Sequence, residues 1–295
     1  MTNKKIAVVG IPGKWSTEAL ADALEAKTGF RLVIDMADVT ADLATGTVMA
    51  NGIDLGSLDG VVVKKITETY SPNSLDRLEL LRLVEVAGTR VFSPAVNILR
   101  LIDRLACTVT LRNGDIPMPE TRVTENVDHA IAAVKAFGAA VFKPLYSTKA
   151  RGMTVITADQ SDENIRTAIT AFRAENPMMY IQRKLDLPGQ DLGLVFIGGV
   201  YHGAYARVAK GDAWNTTIHS GGKYAPFECD ADVIEMARRA QALFDMDFTT
   251  VDVALTNQGP IVFEVSAFGG FRGAKDGIGI DAAALYADHV LDALS

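Results

Sequence analysis

The chain has few cysteines, few histidines and no long hydrophobic run. Two cysteines and four histidines among 295 residues provide neither a disulfide framework nor the paired spacing of a metal site built from these side chains. No stretch approaches the ~18 consecutive apolar residues that a membrane span needs. The short apolar run near the N-terminus leads into a Gly/Pro turn, unlike a signal peptide. We therefore expect a soluble, cytoplasmic protein with no membrane partner.

An excess of positive charge is also absent, because the formal net charge is −7. Sequence-independent binding of nucleic acid requires a basic surface that neutralises phosphates. We therefore expect no nucleic-acid partner, although a local basic pocket remains compatible with this charge. Hydrophobic residues make up 48% of the chain, which is enough for a sizeable core and argues against disorder.

Two common nucleotide-binding motifs are missing from the N-terminal segment. Gly10 and Gly13 are separated by two residues and Trp15 follows Lys14, whereas a Walker phosphate loop has four residues between its glycines and Ser or Thr after its lysine. No Gly-x-Gly-x-x-Gly follows the first predicted strand, which makes a dehydrogenase the least favoured class. The segment is more typical of a tight turn from a strand into a helix.

The order of predicted elements indicates three parts. Strands and helices alternate in residues 1–95, which predicts a small α/β domain with a parallel sheet. Residues 96–185 predict a compact α+β domain, in which residues 97–112 form one helix. Residues 186–295 predict a C-terminal domain rich in β-strands. The fold class is therefore mixed, α/β and α+β.

A β-hairpin with two opposed acids is predicted near the C-terminus. Residues 249–256 and 260–266 alternate in polarity, and Asn257-Gln258-Gly259 forms a three-residue loop between them. This register pairs Thr256 with Pro260, Ala254 with Val262 and Asp252 with Glu264. Phe263 belongs to the apolar face, opposite the two acids.

The acidic pair admits two interpretations. Like charges directly opposite each other destabilise a sheet, and a hard divalent cation such as Mg²⁺ would reverse that effect. Ser266 lies on the same predicted face as Asp252 and Glu264 and can supply a further ligand. A polar sheet face in water explains the pair equally well when the hairpin is considered alone.

Several cations stand where they can bind anions. Lys143 ends an apolar strand, from which it can place a point charge near a phosphate. The following segment, residues 145–153, combines small hydroxyl side chains, two cations and a glycine, which permit close approach to phosphates, although a solvated turn is the alternative. Arg207 leaves a strand and can bind a carboxylate or phosphoryl group. Lys64 and Lys65 follow another strand and either contact a substrate or are solvated.

In their order and spacing, these segments resemble the ATP-grasp superfamily, and most closely the ribosomal-protein-S6 glutamate ligase type. The resemblance covers most of the chain from about residue 97, and a narrower resemblance is to the branch grouped with an HPr-kinase-like partner. The matching segments are Ile102-Asp103-Arg104, Val141-Phe142-Lys143-Pro144, Ser147 to Gly152, Ile181-Gln182-Arg183-Lys184, Gly189-Gln190-Asp191, Arg207, Ile218 to Gly222, Val251-Asp252-Val253, Phe263-Glu264-Val265-Ser266 and Gly277 to Asp281.

The resemblance implies an ATP-grasp fold preceded by a small parallel α/β domain, and an ADP-forming carboxylate–amine ligase. Such an enzyme uses ATP and Mg²⁺ (or Mn²⁺) to convert a substrate carboxylate into an acyl phosphate, which an amine or another nucleophile then attacks. The expected partners are ATP, an unknown carboxylate and a nucleophile, and a homodimer is compatible with the sequence.

The resemblance also implies roles for individual residues. Those expected to bind the nucleotide are Arg104, Lys143, Ser147, Gly152, Gln182, Arg183, Lys184 and Asp191. Those expected to bind the metal are Asp252, Glu264 and Ser266, and those expected to take part in catalysis are Arg207, Lys149 and Arg151.

The chain departs from the family pattern at several positions. The family usually has lysine at Arg104, an acid at Gln182, asparagine at Ser266 and a basic residue at Gly193. The segment Phe268-Gly269-Gly270-Phe271 replaces a loop that usually contains proline. Because the departures lie in the expected site, two alternatives remain open: a small-molecule kinase on the same scaffold, and a degenerate ATP-binding module.

Overall fold

The computed structural model describes residues 2–147, 150–209 and 221–295. Its N-terminal unit is built on a parallel sheet in the order β2-β1-β6-β7, beside a small antiparallel sheet of β3, β4 and β5 that sequence reasoning did not anticipate. The strands are β1 (Ile6–Val9), β2 (Val33–Ile34), β3 (Thr40–Asp42), β4 (Thr47–Ala50), β5 (Ile53–Asp54), β6 (Gly60–Val63) and β7 (Arg90–Phe92), and the helices are α1 (Trp15–Thr28) and α2 (Pro72–Val86).

The predicted helix over residues 97–112 is two helices, α3 (Ala95–Ile102) and α4 (Arg104–Asn113). Asp103 between them has extended backbone, and its carboxylate accepts hydrogen bonds from the amides of Leu105 and Ala106. An aspartate in this position caps a new helix, so the prediction of one continuous helix was wrong. The break places Arg104 in the first turn of α4.

The central unit is an antiparallel sheet in the order β10-β9-β11-β8, covered by two helices. Its elements are β8 (Thr121–Thr124), α5 (Val127–Phe137), β9 (Ala139–Lys143), β10 (Thr154–Thr157), α6 (Asp162–Glu175) and β11 (Met179–Arg183). Buried residues of these elements, among them Val134, Phe142 and Ile169, form a core of their own.

The C-terminal unit is an antiparallel sheet in the order β14-β13-β12-β15-β16 with helices against it. Its elements are β12 (Gln190–Ile197), β13 (Val200–Val208), β14 (Lys223–Phe227), α7 (Ala231–Ala242), β15 (Phe248–Thr256), β16 (Gly259–Val265), α8 (Phe271–Ile278) and α9 (Ala282–Ala293). No helix in the described ranges is long and apolar enough to cross a membrane.

The N-terminal and C-terminal units share their hydrophobic cores. One core joins Val61 to Val251, and a second joins Leu20 of α1 to Tyr286 of α9. Helices α3 and α4 contribute Ile98 and Leu111 to the first of these cores. The described chain is therefore one large body, made of the two outer units with α3 and α4, and one smaller body with the core of the central unit.

The hairpin of β15 and β16 has the predicted acidic pair but a different turn. Asp252 lies opposite Glu264, whereas Thr256 lies opposite Gly259 and Ala254 opposite Ile261, so the loop has two residues and the predicted turn register was wrong. The register shifts between Asp252 and Val253, which leaves Phe263 as the extra residue of a β-bulge. A bulge re-aims side chains, and Phe263 consequently lines the cleft described below and not the predicted apolar face.

Candidate active site

A cleft with a volume of about 1070 Å³ lies between the three units. It is slightly larger than the upper end of the usual range for a single small-ligand pocket, roughly 300–1,000 Å³. The predicted site residues that line it are Arg104, Lys143, Ser147, Arg151, Gln182, Arg183, Lys184, Asp191, Arg207, Asp252, Glu264 and Ser266. The fold therefore gathers residues that are spread over more than 160 positions of the sequence.

Asp252 carries a buried carboxylate oxygen without a protein partner. Its Oδ2 lies 3.0 Å from a terminal guanidinium nitrogen of Arg207, but its Oδ1 is buried and accepts no hydrogen bond from the described residues. Leaving such a charged acceptor unsatisfied costs about 1–3 kcal/mol or more. Burial raises the pKa of Asp252 to about 7, against the opposing effect of Arg207. The carboxylate therefore lacks one favourable contact.

A divalent cation fits this donor set. Glu264 faces Asp252 across the hairpin, is partly exposed to the cleft and binds Arg104 at 3.2 Å through Oε2. Ser266 also lines the cleft. No cluster of three His, Cys, Asp or Glu residues suited to a metal occurs in the described ranges. Mg²⁺ is usually held by one or two carboxylates together with substrate phosphates and waters, and Asp252 and Glu264 supply two carboxylates.

Arg207 is fixed between two acids. Its guanidinium forms a two-pronged contact with Asp191, with distances of 3.2 Å from Nε to Oδ1 and 2.5 Å from a terminal nitrogen to Oδ2. The geometry follows from the sheet, because Asp191 of β12 pairs with Arg207 of β13, and the neighbouring Gly193 pairs with Asp252 of β15. Asp191, predicted to bind the nucleotide, thus orients Arg207 in this structure.

Glycine at position 193 has a steric cause. A Cβ atom there would lie 2.5 Å from the ring of Tyr205, far closer than a real contact allows. On the side of α8, an added Cβ at Gly273 would lie 2.2 Å from the same ring, and one at Gly277 would lie 2.6 Å from the Cβ of Tyr205. Glycine at position 193, where the family usually has a basic residue, therefore leaves space for the buried ring of Tyr205.

Lys143 is held by a neutral partner. Its Nζ donates a hydrogen bond of 2.5 Å to Oε1 of Gln182, whose Nε2 lies 3.1 Å from Oγ1 of Thr121 and 3.2 Å from the hydroxyl of Tyr180. The ammonium group also lies 5.3 Å from the centre of the Phe263 ring. Burial lowers the pKa of Lys143 to about 7. Because glutamine brings no negative charge, the lysine charge is left for an anion in the cleft.

Arg104 connects the two bodies at the base of the cleft. Its Nε donates to the carbonyl of Pro144 at 3.2 Å, and its backbone amide donates to the carbonyl of Leu145 at 3.2 Å. Its guanidinium also binds Glu264. Arg104 therefore lies within reach of both the segment that follows Lys143 and the acidic pair.

Of the remaining predicted residues, Arg183 and Lys184 line the cleft, whereas Gly152 does not. Arg183 forms an ion pair with Glu120, and Lys184 lies 3.8 Å from Asp186. Gly152 has a positive φ of 71°, which favours glycine, and an added Cβ there would lie 3.0 Å from Pro144. Lys149 and residues 218–220 of the predicted motifs lie outside the described residues.

Sequence reasoning missed Phe263 and the Gln182 network. Strict alternation places Phe263 on the apolar face, and no local sequence signal marked the bulge that turns it into the cleft. The hydroxyl groups of Thr121 and Tyr180 lie on two paired strands, β8 and β11. Their contact with Gln182 could be predicted only from the pairing of these strands, which the sequence did not show. We call Lys143, Gln182, Arg207, Asp252 and Glu264 the nucleotide half of the cleft.

Comparisons with known proteins agree with this geometry. Solved structures with the same ATP-grasp fold include the ligase PsnB in complex with a minimal precursor (TM-score 0.76, 18% identity, covering 100% of this chain and 99% of that chain). They also include a RimK domain ATP-grasp protein from Sphaerobacter thermophilus (TM-score 0.75, 23% identity, 97% and 98%). At these identities the likeness shows the fold alone.

The sequence comparisons show the family. The model of the RimK-like ATP-grasp domain matches residues 102–290, well over half of the chain, and the chain therefore belongs to this family. It is accordingly an enzyme, an ATP-dependent carboxylate–amine ligase. The narrower resemblance to the branch with an HPr-kinase-like partner stays a prediction.

Two curated relatives illustrate the family. The tetrahydromethanopterin:alpha-L-glutamate ligase of Methanosarcina acetivorans is 24% identical over 95% of this chain and 96% of its own length. The ribosomal protein bS6–L-glutamate ligase of Escherichia coli is 28% identical over 69% of this chain and 68% of its own length. Their names give a pterin-derived compound in one case and a ribosomal protein in the other, so the molecule that is modified differs between relatives.

Proposed function

We propose that the protein uses ATP and Mg²⁺ to convert a substrate carboxylate into an acyl phosphate, which an amine or another nucleophile then attacks with release of phosphate. The observation that carries this proposal is the acidic pair of Asp252 and Glu264, in which one buried carboxylate oxygen of Asp252 has no partner among the described residues, in the same cleft as Lys143. A solvated polar face, the alternative for the hairpin alone, does not account for a buried Oδ1 without a partner.

Asp252, Glu264 and Ser266 would hold the divalent cation, Mg²⁺ or Mn²⁺. When bound there, the cation would supply neutralisation of the charge on the phosphate oxygens of ATP. Oδ1 of Asp252, which has no partner among the described residues, would be one of the ligand atoms. Arg104, which contacts Glu264 at 3.2 Å, would bind a phosphate oxygen.

The cations of the cleft have separate roles in this proposal. Lys143 binds the phosphates, because its ammonium faces the cleft beside Phe263 and has no acidic partner at Gln182. Gln182 orients Lys143, since its side-chain oxygen and nitrogen are both engaged by protein groups. The adenine would lie at the exit of β11, which is lined by Arg183, Lys184 and Leu185.

Arg207 stabilises the negative oxygen that develops when the nucleophile attacks the acyl phosphate. Asp191 fixes the guanidinium through two contacts, so little reorganisation is needed when that charge forms. The nucleotide-binding roles of Ser147 and Gly152 and the catalytic roles of Lys149 and Arg151 stay predictions from the family resemblance.

The named relatives bear on the carboxylate substrate. Their names specify a ribosomal protein, a pterin-derived compound and, among the solved structures, precursor peptides. We infer that the substrate carboxylate of this chain belongs to a peptide, to the end of a protein or to a small molecule of comparable chemistry. The homodimer stays a prediction.

The decisive experiment identifies the products. The protein is incubated with ATP, Mg²⁺, hydroxylamine and pools of carboxylates, and hydroxamates and nucleotides are measured together. We expect ADP, phosphate and a hydroxamate, because hydroxylamine captures an acyl phosphate. AMP with pyrophosphate would contradict the proposal. Stable ³²P transfer to an acceptor without hydroxamate would favour the kinase alternative, and ATP-dependent thermal stabilisation without turnover would favour the degenerate module.

A further inference from the structure

A second cavity, with a volume of about 690 Å³, lies where the N-terminal and C-terminal units meet. This volume falls within the range of roughly 300–1,000 Å³ that small-ligand pockets usually have. No described residue lines both this cavity and the cleft. We call it the acidic cavity and define it by the side chains of Glu85, Arg90, Gln241, Asp245, Asp247 and His289.

The acidic cavity lies far from the nucleotide half of the cleft. Asp191 near the start of β12 lines the cleft, whereas Gly198, which follows the end of β12, lines the acidic cavity. The strand between these two residues spans roughly 23 Å at the usual rise per residue. In the parallel sheet, Lys64 follows the carboxyl end of β6, whereas Arg90 begins the neighbouring β7. A ligand of the acidic cavity is therefore separate from a nucleotide in the cleft.

Gln241 is a buried polar side chain that faces the acidic cavity. The residue is 4% exposed, and no hydrogen bond joins its amide to any residue that the structure describes. Its Nε2 lies 3.7 Å from the position that a Cβ atom at Gly199 would take, so the amide is directed at the turn that forms one wall. Buried amides are nearly always hydrogen-bonded, because burial without a partner is unfavourable. The amide of Gln241 therefore indicates a hydrogen-bonding ligand.

The positive side chains of the acidic cavity are already engaged by one acid. Nε2 of His289 lies 2.9 Å from Oδ1 of Asp247, and a terminal nitrogen of Arg90 lies 3.6 Å from the same atom. Arg90 also donates to the carbonyl of Ala293 at 3.0 Å and lies over the ring of Phe92. The carboxylate of Asp247 is thus matched by its own partners on the wall.

Two further acids of the acidic cavity have no cationic partner. Glu85 accepts a hydrogen bond of 2.8 Å from the amide of Ala95 through Oε1, and no ion pair joins Glu85 to a cation of the described ranges. The same holds for Asp245, whose carbonyl accepts from Nδ2 of Asn97 at 3.2 Å. Three carboxylates and one guanidinium therefore line the cavity, so a positively charged ligand is favoured over an anion.

The cleft has the opposite charge balance. Ten cationic and four acidic side chains of the described residues line it. An anionic nucleotide is consequently attracted to the cleft and repelled from the acidic cavity, whereas a cation is attracted to the acidic cavity. The two sites therefore select ligands of opposite charge.

We propose that the acidic cavity binds an organic cation, a primary ammonium group on an alkyl chain, through Glu85, Asp245 and the amide of Gln241. An ammonium group has three donors and no acceptor, which suits a wall rich in carboxylate oxygens. The alkyl chain lies against Val91 and Met246, which are apolar residues of the same wall. This site is additional to the proposed ligase function and does not depend on it. A free diamine and the lysine side chain of a peptide share this chemistry.

Two matched pairs of probes test the charge and separate these sources. The first pair is 1,4-diaminobutane and 1,4-butanediol, and the second is acetyl-lysine methylamide and acetyl-norleucine methylamide. Each pair keeps the length of the chain and changes its charge. In calorimetric titrations, we expect the charged member of at least one pair to bind at least about tenfold more tightly than the neutral member, because hydrogen bonds between charged groups are the strong ones.

Substitution of the two acids tests the location. Glu85→Gln and Asp245→Asn should each reduce the preference for charge to less than about threefold, and Glu85→Gln keeps an acceptor for the amide of Ala95. Glu79→Gln is the matched control, because Glu79 lies on the same helix, is paired with Arg82 at 2.7 Å and does not line the cavity. It should leave the preference unchanged.

Gln241→Leu separates a role in binding from a role in the fold. The variant should bind the charged probe at least about threefold more weakly, while its thermal unfolding midpoint should rise or stay the same, because a buried amide without a protein partner has been removed. A lower midpoint with unchanged binding would show that Gln241 supports the fold, and would overturn its place in the site.

Equal binding within both pairs of probes, or a preference for charge that survives both acid variants, would overturn the proposal. The titrations are repeated with the protein saturated with the non-hydrolysable analogue AMPPNP and Mg²⁺, which should leave the affinity for the charged probe unchanged. Competition with the analogue would place the probe in the cleft and would also overturn the acidic cavity as its site. Neither result would bear on ATP-dependent ligation, which is measured separately by its products.

Discussion

The two parts of the cleft hold their charges in different ways. In the nucleotide half, neighbouring strands carry the side chains, which bind one another: Asp191 and Arg207 are cross-strand partners, and so are Asp252 and Glu264. In another part of the cleft, Lys64 and Lys65 at the end of β6 and Arg272 at the start of α8 lie against aromatic rings. The first arrangement fixes the geometry of opposite charges relative to each other, whereas the second orients cations by the faces of rings.

The largest effect is expected from the acidic pair. Asp252→Asn and Glu264→Gln should each lower ATP turnover by at least about 100-fold, because each removes a charge that in our proposal would hold the metal at the transferring phosphoryl group. Steady-state ADP release measures the effect, with calorimetry of nucleotide binding in Mg²⁺. Glu235→Gln, which removes an exposed acid paired with Arg238, serves as the control. Wild-type turnover in both variants would contradict the assignment of Asp252 and Glu264 as metal ligands.

Lys143→Met should lower ATP affinity by roughly 10- to 100-fold, since it deletes a hydrogen bond to a charged group. The wild-type affinity should fall as pH rises through about 7, because burial lowers the pKa of Lys143 to that value and the neutral amine binds phosphate poorly. The variant should lack this pH dependence. Calorimetric titration of ATP between pH 6 and pH 9 checks both statements, and a parallel loss of affinity with pH in the variant would assign the titration to another group.

Lys64→Met tests a lysine of the other group, whose cations lie against aromatic rings. Burial lowers the pKa of Lys64 to about 7 in the folded protein, while the unfolded chain keeps a value near 10.4. The unfolded state thus binds more protons between these values, so this group makes stability rise with pH there and disfavours folding most below pH 7. Lys64→Met should therefore stabilise the protein more at pH 6 than at pH 9.

Urea unfolding of both proteins at the two pH values measures the difference for Lys64. Lys27→Met is a control, because Lys27 is paired with Asp288 near the surface and has no burial cost to relieve. An equal effect of Lys64→Met at both pH values would show that the lysine is hydrated in the folded state.

The smallest effect concerns Phe263. Phe263→Leu keeps an apolar side chain at the bulge but removes the ring beside Lys143, a contact worth roughly 0.5–1 kcal/mol. ATP affinity should fall by about two- to fivefold, as measured by the same titration. In a Lys143→Met background, Phe263→Leu should cause no further loss of ATP affinity. An additive loss would indicate that the Phe263 ring contacts another part of the nucleotide.

Sequence reasoning was most successful for the pair of acids on the C-terminal β-hairpin. The register of the predicted hairpin placed Asp252 opposite Glu264, and the structure agrees. The three-residue loop of that register was wrong, because the structure has a two-residue loop and a bulge at Phe263 that restores the pairing of the two acids. One side chain was thus assigned to the wrong face, although the acidic pair itself was placed correctly.

Features that depend on packing between distant segments could not be predicted. Lys64 at a strand end has the sequence appearance of a solvated lysine, and only the approach of Gly269 and Phe271, more than 200 residues later, shows that it is buried. Periodicity through residues 97–112 likewise hid the break at Asp103, because a cap forms only when the chain turns there. The family resemblance supplied the place of Arg104 but not its contact with Glu264.

The separate core of the central unit determines which distances a change of the cleft can alter. Lys143 and Gln182 belong to the smaller body, whereas Asp252, Arg207, Lys64 and Arg272 all belong to the larger one. A rotation of one body against the other would therefore change the distance from Lys143 to the acidic pair, while Asp252, Glu264 and Arg207 would keep their mutual spacing. The residues proposed for the metal and for the second step would thus stay aligned with each other while spent nucleotide is exchanged for fresh.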